Sequence, residues 1–360
     1  MSLLNPRALK MGVSIVLRGL SKKGHTIYVG SPKQIGMQII RDCWNGKYFQ
    51  ASAGHFNQFW IRDFALHVPA LLKLGFETEV KKTLTYALDQ YAKSRRVATT
   101  IINDAAVDVP TFAPDSLAYL LLSINEGGAS DLVEKYKVFL EAEIERFKKV
   151  VIDHKTGLVK RRKYFASMQD TIKRDSSCYD NVMVALVEGG ARKLRLKCSF
   201  VFPYERFLKY YWTGEYFLDD QSGQKYIGSD ANLYPVWAGI VPDQNINQRA
   251  IDRIAKEELD QPFPLRFTQS RSKLRGIFTL LLTPNYQGST HWPLSGGIYL
   301  QLIKKHNPAL YAKHMDTYAQ LITKHKNYFE IYESDGRPYR TLFYKADEGM
   351  LWVANFLAGL

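Results

Sequence analysis

The segment Gln58-Phe59-Trp60-Ile61-Arg62-Asp63-Phe64-Ala65 brings an aromatic ring, an Arg-Asp pair and the first apolar residues of a helix together. An indole such as that of Trp60 offers a flat face on which a sugar ring can stack. The carboxylate of Asp63 can accept hydrogen bonds from two hydroxyl groups, and the guanidinium of Arg62 can donate a fork of hydrogen bonds. The segment therefore predicts a clamp for vicinal sugar hydroxyls. An Asp helix cap with a local Arg partner is the alternative.

Helical periodicity dominates the sequence on both sides of this segment. Apolar residues recur at intervals of three and four from Glu77 to Lys93, from Ser130 to Val151 and from Leu310 to Ile322. Shorter helical candidates are spread along the chain at 33–44, 63–74, 115–125, 177–190, 192–210, 230–240, 246–258, 290–304 and 347–357. Most of these helices are paired by short connections, and no repeat of fixed length is visible. The pattern predicts an all-α fold in one closed helical domain.

Strand signals are few. The segment Thr26-Ile27-Tyr28-Val29 predicts one short strand, and residues 157–159 and 329–332 predict short ribbons within loops. We interpret residues 1–360 as a single domain, in which residues 1–32 form an N-terminal extension or short strands.

Composition and charge limit the classes of protein to consider. Hydrophobic residues make up 46% of the 360 residues and charged residues 23%, which is typical of a folded chain and excludes intrinsic disorder. The net charge of +14 would suit a polyanionic partner, and basic residues are denser at 148–174 and 266–275. A non-catalytic basic helical protein that binds a polyanion is therefore one alternative. We nevertheless expect no nucleic acid partner, because no helix-turn-helix, zinc or RNA-binding signature is present.

Cysteine content and apolar runs bear on the compartment. Cys43, Cys178 and Cys198 form neither a disulfide framework nor a metal-binding pair. A sparse and odd number of cysteines is typical of a reducing compartment. No run of about 18 apolar residues is present, so we expect no membrane-spanning segment and a cytoplasmic location. Nothing in the sequence calls for a metal or another cofactor.

The pattern Trp-x-Arg-Asp-x-Ala at 60–65 resembles the sugar-clamping motif of glucoamylases and their six-hairpin relatives, which include trehalases, neutral invertases and glycogen-debranching glucosidases. Pro114-Asp115-Ser116-Leu117 resembles the opening of an inner helix in the same enzymes. With the segments below, the resemblance covers roughly residues 55–357. It implies an (α/α)6 toroid in which Arg62 and Asp63 bind the sugar at the non-reducing end. Trp60 and Asp115 are further substrate-binding candidates.

The loop Ala166-Ser167-Met168-Gln169-Asp170-Thr171 is similar to the one that delivers the general acid in debranching glucosidases and invertases. The resemblance implies that Asp170 is the acid here. Glucoamylases place paired glutamates after a Trp in this loop, whereas this chain lacks the Trp and the second glutamate and has Gln169 instead. Asp175 is the fallback for the acid.

Two later loops complete the resemblance. Phe329-Glu330-Ile331-Tyr332-Glu333-Ser334-Asp335-Gly336 resembles the loop whose first Glu is the general base, which implies that role for Glu330. Glu333 and Glu348 are its rivals, and Glu348 is also a substrate-binding candidate, with helix capping as the alternative. Ser289-Thr290-His291-Trp292-Pro293-Leu294 resembles a helix-opening loop that faces the pocket. Trp292 is therefore a candidate sugar platform, and His291 is either a site residue or a packing residue.

Hydrolysis with inversion needs an acid to protonate the leaving oxygen and a base to activate water on the opposite face. We expect burial, or a negative neighbour such as Asp63, to raise the pKa of the acid. Hydrogen bonds from Tyr344 or Trp292 could keep the base ionised. The resemblance thus implies an inverting, exo-acting glycoside hydrolase that cleaves an α-glucosidic bond at the non-reducing end of an oligosaccharide or small glucoside. A hydrolase or lyase of an anionic, uronate-containing saccharide on the same fold is the second alternative.

Overall fold

Helices provide most of the regular structure in the computed structural model, which describes residues 5–21, 23–224, 226–269, 276 and 282–359. In chain order they are α1 (Pro6–Leu20), α2 (Pro32–Cys43), α3 (Ile61–Ala65), α4 (Val68–Lys73), α5 (Glu77–Ser94), α6 (Asp115–Glu126), α7 (Asp131–Val151), α8 (Cys178–Lys193), α9 (Tyr204–Tyr211), α10 (Ser229–Trp237), α11 (Gln244–Lys256), α12 (Pro293–His306), α13 (Pro308–His325) and α14 (Val353–Gly359). A small antiparallel sheet has the strand order β1 (Phe59–Trp60), β2 (Thr100–Ile102), β3 (Ala105–Val107). The predicted helical character of the fold is confirmed.

Two kinds of helix alternate along the chain. Most residues of α6, α8, α10, α12 and α14 are buried, whereas α5, α7, α11 and α13 bury one stripe and expose the rest. In α7, the buried stripe includes Val133, Tyr136, Leu140, Ile144 and Phe147, at the spacing of one helix face. The first kind therefore forms an inner layer, and the amphipathic helices cover it from outside.

The inner helices contact one another in chain order. α4 packs against α6, α6 against α8, α8 against α10, α10 against α12 and α12 against α14, and α14 packs in turn against α4. A continuous core of buried apolar side chains runs through all of them. Because each inner helix packs beside the next, segments that are far apart in sequence can meet at the end of the inner layer.

The N-terminal segment differs from the prediction of short strands. Residues 6–20 form α1, whose N-cap Asn5 accepts a hydrogen bond from the Arg7 backbone at 2.9 Å. The predicted strand at 26–29 is wrong, because these residues take no strand conformation and Tyr28 N instead donates to Lys326 O. The polar and basic residues Arg7, Lys10, Ser14 and Arg18 recur at intervals of three and four, so the sequence does carry the helical period of α1.

Two predicted helices are shorter than expected. The candidate at 192–210 is interrupted between α8 and α9, where Arg195 adopts a φ of 54°. This left-handed conformation ends a helix. The candidate at 347–357 begins only at Val353, because Glu348 forms a bridge with Phe329. Capping of that helix therefore does not explain Glu348.

Both predicted ribbons are present as isolated bridges. Ile152 pairs with Val159, and Phe329 pairs with Glu348. In the second basic stretch, residues 270–275 lie outside the described residues. Across the described ranges, no helix is both long enough and apolar enough to cross a bilayer.

Candidate active site

A cavity of about 590 Å³ opens where the segments leading into the inner helices meet. Six of the eight residues singled out from the sequence line it, namely Trp60, Arg62, Asp63, Asp170, Trp292 and Glu330. Asp170 and Glu330 reach this cavity although 160 positions (330 − 170) separate them in the sequence. The cavity is therefore the candidate active site.

Two consecutive residues, Tyr286 and Gln287, join the two carboxyl groups. The hydroxyl of Tyr286 donates to Glu330 Oε1 at 2.6 Å, and Gln287 Nε2 donates to Asp170 Oδ1 at 2.8 Å. Burial raises the pKa of Tyr286, and the charges of Glu330 and Asp170 raise it further, so both lie close to this hydroxyl. Since consecutive Cα atoms are about 3.8 Å apart, the pair fixes both carboxyl groups in one small region.

Glu330 is a buried carboxyl group surrounded by donors. Its Oε1 accepts from Tyr286, and its Oε2 accepts from the Tyr344 hydroxyl and, at 3.1 Å, from Asp347 N. Burial raises the pKa of Glu330 to about 8, although these hydrogen bonds lower it. The predicted support from Tyr344 is present. The support predicted from Trp292 is not, because its Nε1 donates to Tyr286 O at 2.7 Å.

Asp170 is also buried, but it has fewer donors. Burial raises its pKa to about 6, whereas the charge of Arg62 and the hydrogen bond from Gln287 lower it. Burial therefore acts in the direction predicted for the acid. Asp115 is the negative neighbour that adds to the rise, in the place where Asp63 was predicted.

A buried charge cluster of Arg174, Asp219 and Asp230 packs against the loop that carries Asp170. Arg174 Nη1 donates to Asp230 at 2.7 Å and to Asp219 at 3.4 Å. Gln169, the residue that departs from the glucoamylase pattern, donates to Asp230 at 3.0 Å. Gln169 thus anchors the loop, and it does not line the cavity.

Arg62 and Asp63 both line the cavity, but each has a different partner. Arg62 Nε donates to Asp115 Oδ2 at 2.8 Å, while its Nη1 makes no hydrogen bond to a described residue. Asp63 accepts from Trp352 Nε1 at 2.8 Å, and burial raises its pKa to about 6. The alternative of an Asp cap with a local Arg partner does not hold, because α3 has no side-chain cap and Arg62 does not bind Asp63.

Aromatic side chains form much of the remaining wall. Trp60 is fixed by the β1–β2 pairing with Thr100 and packs edge-on against Phe56, with ring centroids 5.6 Å apart. Trp292 lies beside Trp352 at 6.2 Å. Such faces suit the stacking of a sugar ring.

Asp115 and Glu348 lie outside the cavity lining, which corrects their prediction as direct substrate-binding residues. Asp115 is buried beneath Arg62 and also accepts from the Tyr179 hydroxyl at 3.0 Å. Glu348 binds Arg18 of α1 and accepts from Thr26 N at 2.7 Å. Asp115 therefore orients Arg62, and Glu348 anchors the N-terminal segment.

The remaining rivals also lie away from the cavity. Asp175 is bound by Arg161 at 2.6 Å; partial burial alone would raise its pKa, but hydrogen bonds from Arg161 and the Arg162 backbone bring it below its usual value. Glu333 is half-buried and does not line the cavity. His291 is fully buried between Arg266, at 3.1 Å, and Phe263 O, which makes it a packing residue.

Several cavity residues were not predicted. Tyr286, Gln287 and Trp352 contact the carboxyl groups directly, and α1 contributes a whole wall. Tyr286 lies three positions before the motif at 289–294, and Trp352 lies four positions after Glu348 (289 − 286 and 352 − 348). This proximity in sequence is the signal that could have indicated the two residues. Among the described residues, no group of three or more His, Cys, Asp or Glu side chains is arranged to hold a metal ion.

No family model and no curated protein matches the sequence. Solved structures do match. A rhamnosidase from Klebsiella oxytoca with rhamnose bound has a TM-score of 0.60 and 10% identity over 91% of this chain, which spans only 62% of that protein.

Two further structures match over nearly their full lengths. A GH63 mannosylglycerate hydrolase from Thermus thermophilus, in complex with Tris and D-glycerate, has a TM-score of 0.62 and 11% identity, covering 91% of this chain and 99% of its own. A protein described as wild-type glycosidase has a TM-score of 0.62 and 12% identity, and the match covers 99% of this chain and 97% of that protein. Identities this low establish the fold and leave the activity open. The chain therefore has the helical fold that these glycosidases share.

Proposed function

We propose that this protein is an inverting, exo-acting glycoside hydrolase in which Asp170 is the general acid and Glu330 the general base. The observation that carries the proposal is the pairing of Tyr286 with Glu330 and of Gln287 with Asp170 at one cavity. Two carboxyl groups beside a sugar clamp are the equipment that glycosidic cleavage requires.

We further propose that the fold is an (α/α)6 toroid in a single domain. The succession of contacts from α4 through α14 and back to α4 supports a closed inner ring, with α2 packed outside α14. A closed ring explains why loops from distant parts of the chain share one cavity.

The substrate is proposed to be a neutral glycoside with a sugar bound in subsite −1 by Arg62 and Asp63. Three carboxyl groups, Asp63, Asp170 and Glu330, line the cavity, and Arg62 is the only cationic side chain among the described lining residues. Its charge is already offset by Asp115. An anionic uronate would therefore meet net repulsion, which disfavours that alternative. The related structures with glucose or rhamnose bound also contain neutral sugars.

The assignment of acid and base rests on hydrogen bonding. Ranked by pKa alone, Glu330 at about 8 would hold the proton before Asp170 at about 6. However, both oxygens of Glu330 lie within hydrogen-bond distance of three donors, the hydroxyl groups of Tyr286 and Tyr344 and the backbone N–H of Asp347, which stabilise its ionised form. The side-chain hydrogen bond described for Asp170 goes to Oδ1, so Oδ2 can carry the proton to the leaving oxygen.

A panel of neutral glycosides tests the proposal. We expect hydrolysis of at least one nitrophenyl α-glycoside among glucose, mannose and rhamnose, with the β-anomer as the first product in proton NMR spectra. We expect no hydrolysis of uronate-containing oligomers. Release of the α-anomer would contradict inversion, and the absence of hydrolysis across the panel would contradict the function.

The pH profile should be bell-shaped, because one carboxyl group must be protonated while the other is ionised. Below about pH 6 both groups hold a proton and above about pH 8 neither does, so only between these limits do the two groups share the single proton that either assignment of acid and base needs. We therefore expect kcat/KM to be greatest near pH 7 and to fall on both sides, measured from initial rates between pH 4 and 10. A flat profile across this range would exclude the pair.

A cytoplasmic location stays a prediction. Cys43, Cys178 and Cys198 are free thiols, which supports a reducing compartment.

A further inference from the structure

We propose that the leaving-group side of the cavity binds an apolar aglycone, such as an alkyl chain, and that α1 forms its binding wall. This inference rests on the proposed function, because it concerns the part of the substrate that departs on cleavage. It narrows the substrate class from neutral glycosides in general to those with a hydrophobic leaving group.

The part of α1 that borders the cavity is entirely apolar. Eight of its residues, between Ala8 and Leu17, line the cavity, and none carries a polar side chain. The polar and charged side chains of Arg7, Lys10, Ser14 and Arg18 lie on the remaining face of the helix and do not line the cavity. This helix therefore presents hydrocarbon to whatever enters.

α1 is seated on the rim of the cavity by specific contacts at its C-terminal end. Gly19 is buried so closely against Phe343 that a Cβ atom would lie 2.4 Å from the Phe343 carbonyl. Arg18 forms an ion pair with Glu348 and lies 3.8 Å from Asp347. These contacts fix α1 as a permanent wall of the cavity.

Part of this wall is uncovered. Leu9, Val13 and Leu17 line the cavity and yet are 62%, 51% and 62% exposed. They recur every four residues, which places them on one face, and Leu20 extends the same stripe at 50% exposure. From Leu9 to Leu20 the stripe runs for about 17 Å along the helix axis. Exposed apolar surface that borders a ligand cavity marks a binding surface.

The difference in burial between the sugar clamp and α1 indicates how a substrate lies in the cavity. Arg62 and Asp63 bind the buried partners Asp115 and Trp352, whereas Leu9, Val13 and Leu17 of α1 are more than half exposed. We therefore expect a sugar bound by Arg62 and Asp63 to extend its glycosidic bond toward the exposed side of the cavity, which α1 borders. The leaving group then contacts Leu9, Val13 and Leu17.

The chemistry of this wall selects among leaving groups. A sugar in this position would need hydrogen-bond partners for its hydroxyl groups, and burial of an unpaired hydroxyl is costly. An anionic group would need a cation, yet the eight α1 lining residues are uncharged and the cavity carries three carboxyl groups. An alkyl or similarly apolar group matches the wall, because its burial releases water from hydrocarbon on both sides.

Binding of non-hydrolysable compounds tests this inference separately from hydrolysis. Methyl and octyl 1-thio-α-glycosides of glucose, mannose and rhamnose are titrated below the micelle-forming concentration, with the fluorescence of the cavity tryptophans as the signal. For at least one sugar, we expect the octyl compound to bind about tenfold more tightly than the methyl compound, or better, since each covered methylene adds to affinity. In the double variant Leu9→Gln/Leu17→Gln, most of this octyl-to-methyl ratio should disappear.

The control is Val138→Gln, which replaces an apolar residue that is 85% exposed on α7 and away from the cavity. It should retain the wild-type ratio. Equal affinities for methyl and octyl compounds, a lack of binding by all of them, or an undiminished ratio in the double variant would each overturn the inference. The inference would also be overturned if sedimentation velocity showed that the wild type is a dimer and the double variant a monomer. The stripe would then be the contact surface for a second copy of the chain. Hydrolysis of the nitrophenyl panel can succeed or fail independently of all these outcomes.

Discussion

Replacement of Asp170 by Asn is expected to lower kcat/KM for an alkyl or sugar leaving group by about 100- to 10,000-fold, the range that general acid catalysis contributes. Asn can still accept the hydrogen bond that Gln287 Nε2 gives to Asp170 Oδ1, so the loop should keep its position. What the variant lacks is a proton to give to the leaving oxygen. Steady-state kinetics on the glycoside identified by the panel measure the loss.

The loss should depend on the leaving group. A 2,4-dinitrophenyl glycoside departs without protonation, so Asp170→Asn should hydrolyse it within about tenfold of the wild-type rate. The matched control is Asp175→Asn, the same substitution five positions along the same loop. Asp175 forms its ion pair with Arg161 outside the cavity, and an Asn at this position can still accept hydrogen bonds from Arg161 and from the Arg162 backbone. Near-wild-type activity of Asp170→Asn on every substrate would remove Asp170 from the mechanism.

The residues proposed to carry the chemistry could be anticipated because their types and their places before helices are local features. Trp60, Arg62 and Asp63 lie within four consecutive positions at the start of α3, and Asp170 and Glu330 each lie in a loop with a motif of its own. All five line the cavity. Local sequence was enough for these residues because their roles depend on residue type and on the helix that follows.

The partners of those residues could not be anticipated in the same way. Gln287 binds Asp170 across 117 positions, and Trp352 binds Asp63 across 289 positions. These contacts depend on the packing of inner helices, which no local pattern encodes. Asp115 and Glu348 illustrate the converse: their residue types suited sugar binding, but tertiary packing assigned one to Arg62 and the other to Arg18.

The N-terminal helix is predictable from sequence, but its place in the site is not. In α1 the polar side chains recur every three or four residues along one stripe, which is the period of a helix. That this helix borders the cavity depends on the contacts of Gly19 with Phe343 and of Arg18 with Glu348, at the other end of the chain. The apolar face of α1 includes the exposed stripe from Leu9 to Leu20, on which the proposed aglycone site depends.

Replacement of Glu330 by Gln should reduce kcat/KM by about 100- to 10,000-fold for every leaving group, including 2,4-dinitrophenyl. The reason is that attack by water needs a base whether or not the leaving group needs a proton. Tyr286 and Tyr344 can still pair with the amide, so the fold should persist, which circular dichroism and thermal unfolding would verify. Glu333→Gln is the matched control, three positions along the same loop and outside the cavity, and it should retain activity.

The two variants together determine which carboxyl group carries the proton. If Asp170 is the acid, its variant alone recovers on the activated substrate, and the Glu330 variant stays inactive. The opposite result, recovery of Glu330→Gln alone, would exchange the two roles and agree with the order of their pKa values, about 8 for Glu330 and about 6 for Asp170. In that case the proton on Glu330 would point to the leaving oxygen, and the hydroxyl groups of Tyr286 and Tyr344 would hold the protonated carboxyl group in place. The kinetics of the two variants therefore decide between the two assignments.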